Sequence, residues 1–142
     1  MIEALLRLSF EQRYRDPHAM LELAMFARIA AVNLDPAEHE PEVIADHQAR
    51  AWAELGNAYR INDELAAAEE AMGIAEERWR QGTGNLFLLA RVADLRASLL
   101  STRRLFSDAC ELLRRACGAR STSVPPVRNY IAEIHSERSR VP

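Results

Sequence analysis

Apolar residues recur every three or four positions along most of the chain, in segments separated by polar or helix-breaking residues. This spacing places the apolar side chains of each segment on one face of an α-helix, whereas a strand would alternate apolar and polar positions. Proline, glycine and Asn-Asp pairs mark the boundaries. The pattern predicts an all-α protein with helices at about 2–14, 17–34, 42–61, 64–81, 86–102, 107–118 and 127–138.

The segment 64–81 shows the helical pattern most clearly. Its apolar stripe consists of Leu65, Ala68, Met72, Ala75 and Trp79. Its other face carries the acidic residues Glu69, Glu70, Glu76 and Glu77, which we expect to be solvated. Arg80 follows Glu76 at i+4, an order that favours an ion pair on the helix surface.

A particular order of aromatic, small and bulky residues spans the helices predicted at 42–61 and 64–81. It comprises Trp52, Leu55, Gly56, Tyr59, Ala68, Met72 and Ala75. Gly56 and Ala68 are small where two antiparallel helices would have to approach closely. Asn62-Asp63 between the helices supplies turn and N-cap chemistry. This segment resembles a tetratricopeptide repeat, whose signature has these residue classes at this spacing.

A second, degenerate copy of the arrangement follows the first. A shift of 41 residues takes Gly56 to Ala97 and Met72 to Leu113, so small and large residues recur in register. Arg96 stands where the pattern has leucine. The resemblance implies antiparallel helical hairpins stacked as a short superhelix.

These observations predict a single helical-repeat domain over residues 1–142, because the chain is too short for two independent cores. Within it, 42–82 is the first clear repeat and 86–118 the degenerate second one. Residues 1–34 would form an atypical N-terminal hairpin, because such arrays need about three units to bury a continuous core. The polar helix at 127–138 is a candidate cap.

The resemblance also implies a function, because repeats of this kind bind peptide segments in a concave groove lined by the first helix of each hairpin. By position, the groove would present Arg50, Ala53, Asn57, Arg60, Arg91, Asp94, Ser98 and Ser101. From these we select as contacts to a protein or peptide partner Arg50, Asn57, Arg60, Arg91 and Ser98. Asn57 matches the asparagine of the family's carboxylate clamp, whereas Ala53 and Asp94 stand where that clamp has lysines.

Composition narrows the choice of function. Residues 1–82 carry 16 acidic and 8 basic side chains, and residues 83–142 carry 5 acidic and 10 basic ones. The acidic pI of 5.8 argues against nucleic acid as a partner. All 18 basic residues are arginine, which is typical of a GC-rich bacterial genome. No run approaches the ~18 apolar residues of a membrane span and the N-terminus lacks the pattern of a signal peptide, so we expect a cytoplasmic protein.

Reactive side chains form no recognisable chemical motif. The four histidines lack the spacing of a helical metal site. Cys110 and Cys117 stand near small apolar residues, and we expect both to be buried packing residues. Since no phosphate loop, dinucleotide fingerprint or Ser-His-Asp grouping is present, we expect no enzymatic activity, no metal and no cofactor.

The leading hypothesis is therefore a non-enzymatic scaffold or adaptor that binds another protein or a peptide. Homo-oligomerisation is the first alternative, because the number of repeats is small and the two halves carry opposite charge. A regulatory sensor module of a larger assembly is the second alternative, and an enzyme is the third.

Overall fold

A computed structural model of the chain describes residues 1–103 and 106–121. Within this part of the chain every regular element is an α-helix, as the periodicity predicts. The six helices are α1 (Ile2–Glu11), α2 (Pro17–Val32), α3 (Pro41–Ile61), α4 (Leu65–Arg80), α5 (Leu86–Thr102) and α6 (Phe106–Ser121). The helix predicted at 127–138 lies outside the described residues.

Side-chain caps explain where several helices begin. The Asp16 carboxylate accepts a hydrogen bond from the Ala19 backbone N–H at 3.0 Å, and Pro17 occupies the first turn of α2. Asn85 caps α5 in the same way, through the backbone N–H groups of Phe87 and Leu88. These caps satisfy N–H groups that have no partner within their own helix.

The turn before α4 differs from the expectation that Asn62-Asp63 would cap that helix. Glu64 is the N-cap residue and makes no side-chain cap bond. The Asn62 side chain instead donates hydrogen bonds to the carbonyls of Ala58 and Pro17, both at 2.8 Å. Asn62 therefore ties the end of α3 to the start of α2, a long-range role that local turn chemistry does not predict.

Each helix packs mostly against its neighbours in the sequence, and α3 lies at the centre. It contacts α1, α2, α4 and α5. The consecutive helices α3 and α4 are antiparallel, because Gly56 in the second half of α3 lies against Met72 in the first half of α4, while Asp46 near the start of α3 binds Thr83 just after α4. Helix α3 therefore forms the centre of the helix packing.

Small residues at the α3–α4 crossing allow the two helices to approach closely. A Cβ atom added at Gly56 would lie 3.1 Å from Met72 Cγ and 3.3 Å from the Ala68 carbonyl oxygen. Both are tighter than ordinary van der Waals contacts. The main core cluster surrounds this crossing and includes the buried residues Ala49, Ala53, Ala68, Met72, Ala75, Trp79, Leu88, Leu89, Val92, Leu95 and Leu99.

The acidic face of α4 is a correction to the sequence analysis, because part of it is buried rather than solvated. Arg96 of α5, only 2% exposed, forms ion pairs with Glu69 at 2.9 Å and Glu76 at 3.4 Å. Burial lowers the pKa of Arg96, and the charge of Glu76 opposes that effect. Arg80 pairs with Glu77 at 2.6 Å and not with Glu76 as expected, because Glu76 turns toward α5.

The two cysteines are a second correction, because both Cys110 and Cys117 are exposed. Helix α6 directs Leu112 and Ala116 toward α5, where they join a cluster with Leu100. With 100° between successive residues of a helix, neither cysteine shares the face of Leu112 and Ala116. The helix predicted at 107–118 is present as α6, but the expected burial of its two cysteines is wrong.

The glycines of α3 and α4, Gly56 and Gly73, offer a matched test of the close crossing. Gly56 is confined by Met72 and Ala68, whereas a Cβ atom at Gly73 of α4 would meet nothing within 4 Å. We expect Gly56→Leu to lower the free energy of unfolding by about 1–3 kcal/mol, because the added side chain overpacks the crossing. Gly73→Leu should leave it unchanged or raise it by up to about 1 kcal/mol through better helix propensity.

Urea denaturation followed by circular dichroism measures both effects. Equal unfolding midpoints for the two variants would show that α3 and α4 do not depend on their close approach at Gly56.

Candidate functional site

A groove runs along the side of the molecule where α1, α3 and α5 lie next to one another. It consists of three hollows of about 580, 520 and 290 Å³. Phe10 and Arg91 line both the first and the second hollow, and Glu3 and Arg50 line both the second and the third. The hollows therefore adjoin one another along the groove.

The first hollow contains three arginines, and we call it the arginine hollow. Its lining comprises Phe10, Arg13, Tyr14, Asn57, Arg60, Ile61, Arg91, Asp94, Leu95 and Ser98. The opposite end of the groove is bounded by Glu3, Val43, Asp46, His47, Arg50, Asn85, Phe87 and Leu88. The Asp46 carboxylate at this end accepts hydrogen bonds from the Thr83 backbone N–H and hydroxyl, so it is held by the loop before α5.

Glu54 joins α3 to α5 in the middle of the groove. This carboxylate is only 3% exposed. It accepts two hydrogen bonds from the Arg91 guanidinium of α5, at 2.7 and 3.0 Å, and one from Arg50 of its own helix at 3.1 Å. Burial lowers the pKa of Arg91, but the hydrogen bonds and charge of Glu54 outweigh it, so the pKa of Arg91 is raised. A buried carboxylate requires such partners, because an uncompensated buried charge is strongly destabilising.

Arg60 is held differently, by neutral groups. Its guanidinium donates two hydrogen bonds to the Asn57 side-chain oxygen, at 2.9 and 3.1 Å, and one to the Thr102 hydroxyl at 3.2 Å. Within the described residues no carboxylate forms an ion pair with Arg60. Burial lowers the pKa of this guanidinium, because the charged form loses part of its hydration.

Aromatic rings of the N-terminal segment complete the arginine hollow. The Arg13 guanidinium lies 3.8 Å from the centre of the Phe10 ring and 4.6 Å from that of Tyr14. Arg91 approaches the same Phe10 ring at 5.2 Å. Both distances to Phe10 are within the range of a favourable cation–π interaction.

The five residues selected from the sequence all line this groove, although their environments differ from the expectation. Arg50 and Arg91 share the buried Glu54, and Ser98 donates to the Asp94 carbonyl of its own helix. Asn57 is only 3% exposed, and its oxygen accepts from Arg60. Asn57 therefore orients an arginine rather than presenting an open amide.

Ala53, which the repeat pattern also placed in the groove, is fully buried in the main core cluster. The positional comparison was wrong here because the groove face of α3 lies one residue later, at Glu54.

Sequence reasoning missed Glu54 and the whole contribution of α1. Glu3, Arg7 and Phe10 are spaced by four and three residues, which puts them on one face of α1. That spacing could have identified them as a polar and aromatic stripe. The buried state of Glu54 had no comparable local signal, because it depends on Arg91, 37 residues later.

Two further properties bear on the chemistry of the molecule. In residues 1–103 and 106–121, no three or more His, Cys, Asp and Glu side chains come together in a group suited to a metal ion. In the same part of the chain, no helix has both the length and the apolar character needed to cross a membrane.

Comparisons with known proteins identified no matching family model, no similar curated protein sequence and no similar solved structure.

The buried ion pair of Glu54 has an exposed counterpart that serves as a control. Glu54→Gln keeps the shape of the side chain but removes the charge that holds Arg50 and Arg91, so we expect the free energy of unfolding to fall by about 1–3 kcal/mol. Glu77→Gln removes the exposed partner of Arg80. Glu77→Gln should therefore lower the free energy of unfolding by less than about 0.5 kcal/mol. Thermal and urea unfolding of both variants would test this difference, and equal stabilities would contradict the role given to Glu54.

Proposed function

We propose that the protein is a non-enzymatic scaffold that binds an extended segment of another protein in the groove between α1, α3 and α5. The observation that carries this proposal is the row of three adjoining hollows lined by three helices that are distant in sequence. An open groove with cationic and aromatic walls suits a peptide chain better than a compact small molecule, which usually binds in a more enclosed and apolar pocket.

The dimensions of the groove agree with this occupant. It follows α3 from Val43 to Ile61, a distance of about 27 Å at the helical rise of 1.5 Å per residue. An extended peptide advances about 3.3 Å per residue, so roughly eight residues would span the groove.

The resemblance to tetratricopeptide repeats supports the same function. The close approach of Gly56 to Met72 and Ala68 agrees with the small residues that the repeat signature has at a helix crossing. In addition, residues of α1, α3 and α5 line the groove, and these would be the first helices of three such hairpins. We therefore propose that the helices form a short array of tetratricopeptide-like hairpins in which α1–α2 is an atypical first unit.

Homo-oligomerisation is a second candidate, favoured by the outer face of α2. Of the eleven large apolar side chains that are exposed in the described residues, eight belong to residues 1–32. Met25, Phe26, Ile29 and Val32 lie on one face of α2. If this face mediates self-association, sedimentation equilibrium should give a dimer mass for the wild-type protein and a monomer mass for Phe26→Glu. A monomeric wild-type protein would exclude this candidate.

Two phenylalanines of the first hairpin test the peptide-binding proposal. Phe10 is 36% exposed and lines the groove, whereas Phe26 is 58% exposed on α2 and lines none of the three hollows. We expect selection from a displayed library of random peptides to recover ligands of the wild-type protein. Phe10→Ala should weaken these ligands by at least tenfold, about 1.4 kcal/mol. Phe26→Ala should leave their affinity unchanged.

Fluorescence anisotropy with the recovered peptides measures both affinities. The proposal would be wrong if selection recovered no ligand, or if the recovered ligands bound folded Phe10→Ala as tightly as wild type.

A further inference from the structure

The charges that line the arginine hollow do not balance. Three arginines line it, Arg13, Arg60 and Arg91, but only one carboxylate, that of Asp94. Arg91 forms ion pairs with Asp94 and with Glu54 of the neighbouring hollow. Arg13 and Arg60 are the other two arginines of the hollow. The Arg13 side chain donates to the Phe10 carbonyl, and Arg60 donates to Asn57 and Thr102, so these acceptors are neutral groups. Two guanidinium groups of one hollow therefore lack an anionic partner among the described residues.

The surrounding groups fix these two charges in place. Asn57 and Thr102 hold Arg60 from α3 and α5, while the rings of Phe10 and Tyr14 flank Arg13. A guanidinium that is already oriented loses less conformational entropy when it binds an anion. Neutral acceptors leave the positive charge itself uncompensated, so it remains available to an incoming anion.

From this arrangement we infer that the arginine hollow is an oxyanion site, in which Arg13 and Arg60 together bind a carboxylate or phosphate group carried by the peptide in the groove. This inference rests on the proposed function for the peptide as carrier, but not for the binding of the oxyanion itself. Guanidinium groups match the planar oxygen pairs of carboxylates and phosphates with two parallel hydrogen bonds. Tyr14, 85% exposed at the rim, adds a hydroxyl donor and an aromatic surface beside them.

Inorganic phosphate is the first probe, because it tests the oxyanion site without any peptide. We expect titration with phosphate at pH 7 to shift the NMR signals of the Arg60 and Arg13 Nε–H groups in a saturable manner, whereas sodium chloride at equal ionic strength should not. Arg60→Gln and Arg13→Gln should each weaken phosphate binding by at least about tenfold.

Arg28→Gln is the matched control. This arginine lies over the Trp52 ring at 5.3 Å and lines none of the three hollows. The Arg28→Gln variant should bind phosphate as tightly as the wild-type protein. The inference would be overturned if phosphate shifted neither arginine, or if Arg28→Gln weakened phosphate binding as much as the two hollow variants. If one hollow variant fails to fold, the other still decides the result.

The peptides recovered by library selection identify the source of the oxyanion. We expect them to contain acidic residues, and replacing these with Asn or Gln should weaken binding by at least about tenfold. A phosphoserine at the same position would bind more tightly than the acidic residue if the natural group is a phosphate, which carries about −1.5 to −2 at pH 7. If the phosphoserine peptide binds equally or less tightly than the acidic peptide, the natural group is a carboxylate.

Failure of this inference and failure of the proposed function give different results. Recovered peptides that bind through Phe10 but are neutral, with no effect of Arg13→Gln or Arg60→Gln, would overturn the oxyanion site and keep the scaffold. Saturable phosphate binding without any recovered peptide would keep the oxyanion site and overturn the scaffold. A single-stranded oligonucleotide that shifts both arginines at lower concentration than any peptide would overturn the peptide as carrier.

Discussion

The groove depends on one buried charge, the carboxylate of Glu54. Helix α3 packs against every other described helix except α6, which packs against α5. Apolar contacts between helices are not directional, whereas the two hydrogen bonds from Arg91 to Glu54 allow only a narrow range of positions for α5. The same bonds place Arg91 over Phe10 of α1. One ion pair thus contacts all three helices of the groove, because it joins α3 to α5 and its arginine lies over Phe10 of α1.

Much of the fold could be predicted from the sequence, because helix periodicity, caps and small residues act locally. The predicted helix at 42–61 corresponds to Pro41–Ile61 in the structure, and the one at 86–102 to Leu86–Thr102. The close crossing at Gly56 could also be predicted, since a glycine between aromatic and bulky residues indicates a helix that approaches another. The ends of α1 and α6 were less accurate, as expected for helix ends without strong caps.

The remaining features depend on which helix covers which face, and periodicity within one helix does not contain that information. Arg96 looked like a departure from an apolar pattern, yet it compensates the glutamates of α4. Cys110 and Cys117 looked like packing residues, yet α6 turns them outward. At the candidate site, the five residues selected on α3 and α5 do line the groove, whereas Ala53 does not. The stripe of α1 and the buried Glu54 could be recognised only once the helices were assembled.

The central claim is that a partner segment lies across α1, α3 and α5. Mapping the backbone amide NMR shifts caused by a bound peptide tests it most directly, because the measurement reports on every helix at once. We predict that the largest shifts fall on the groove-facing residues of these three helices, on both sides of Glu54. Shifts concentrated on the exposed face of α2, around Phe26 and Ile29, would contradict the claim and assign binding to the outer surface.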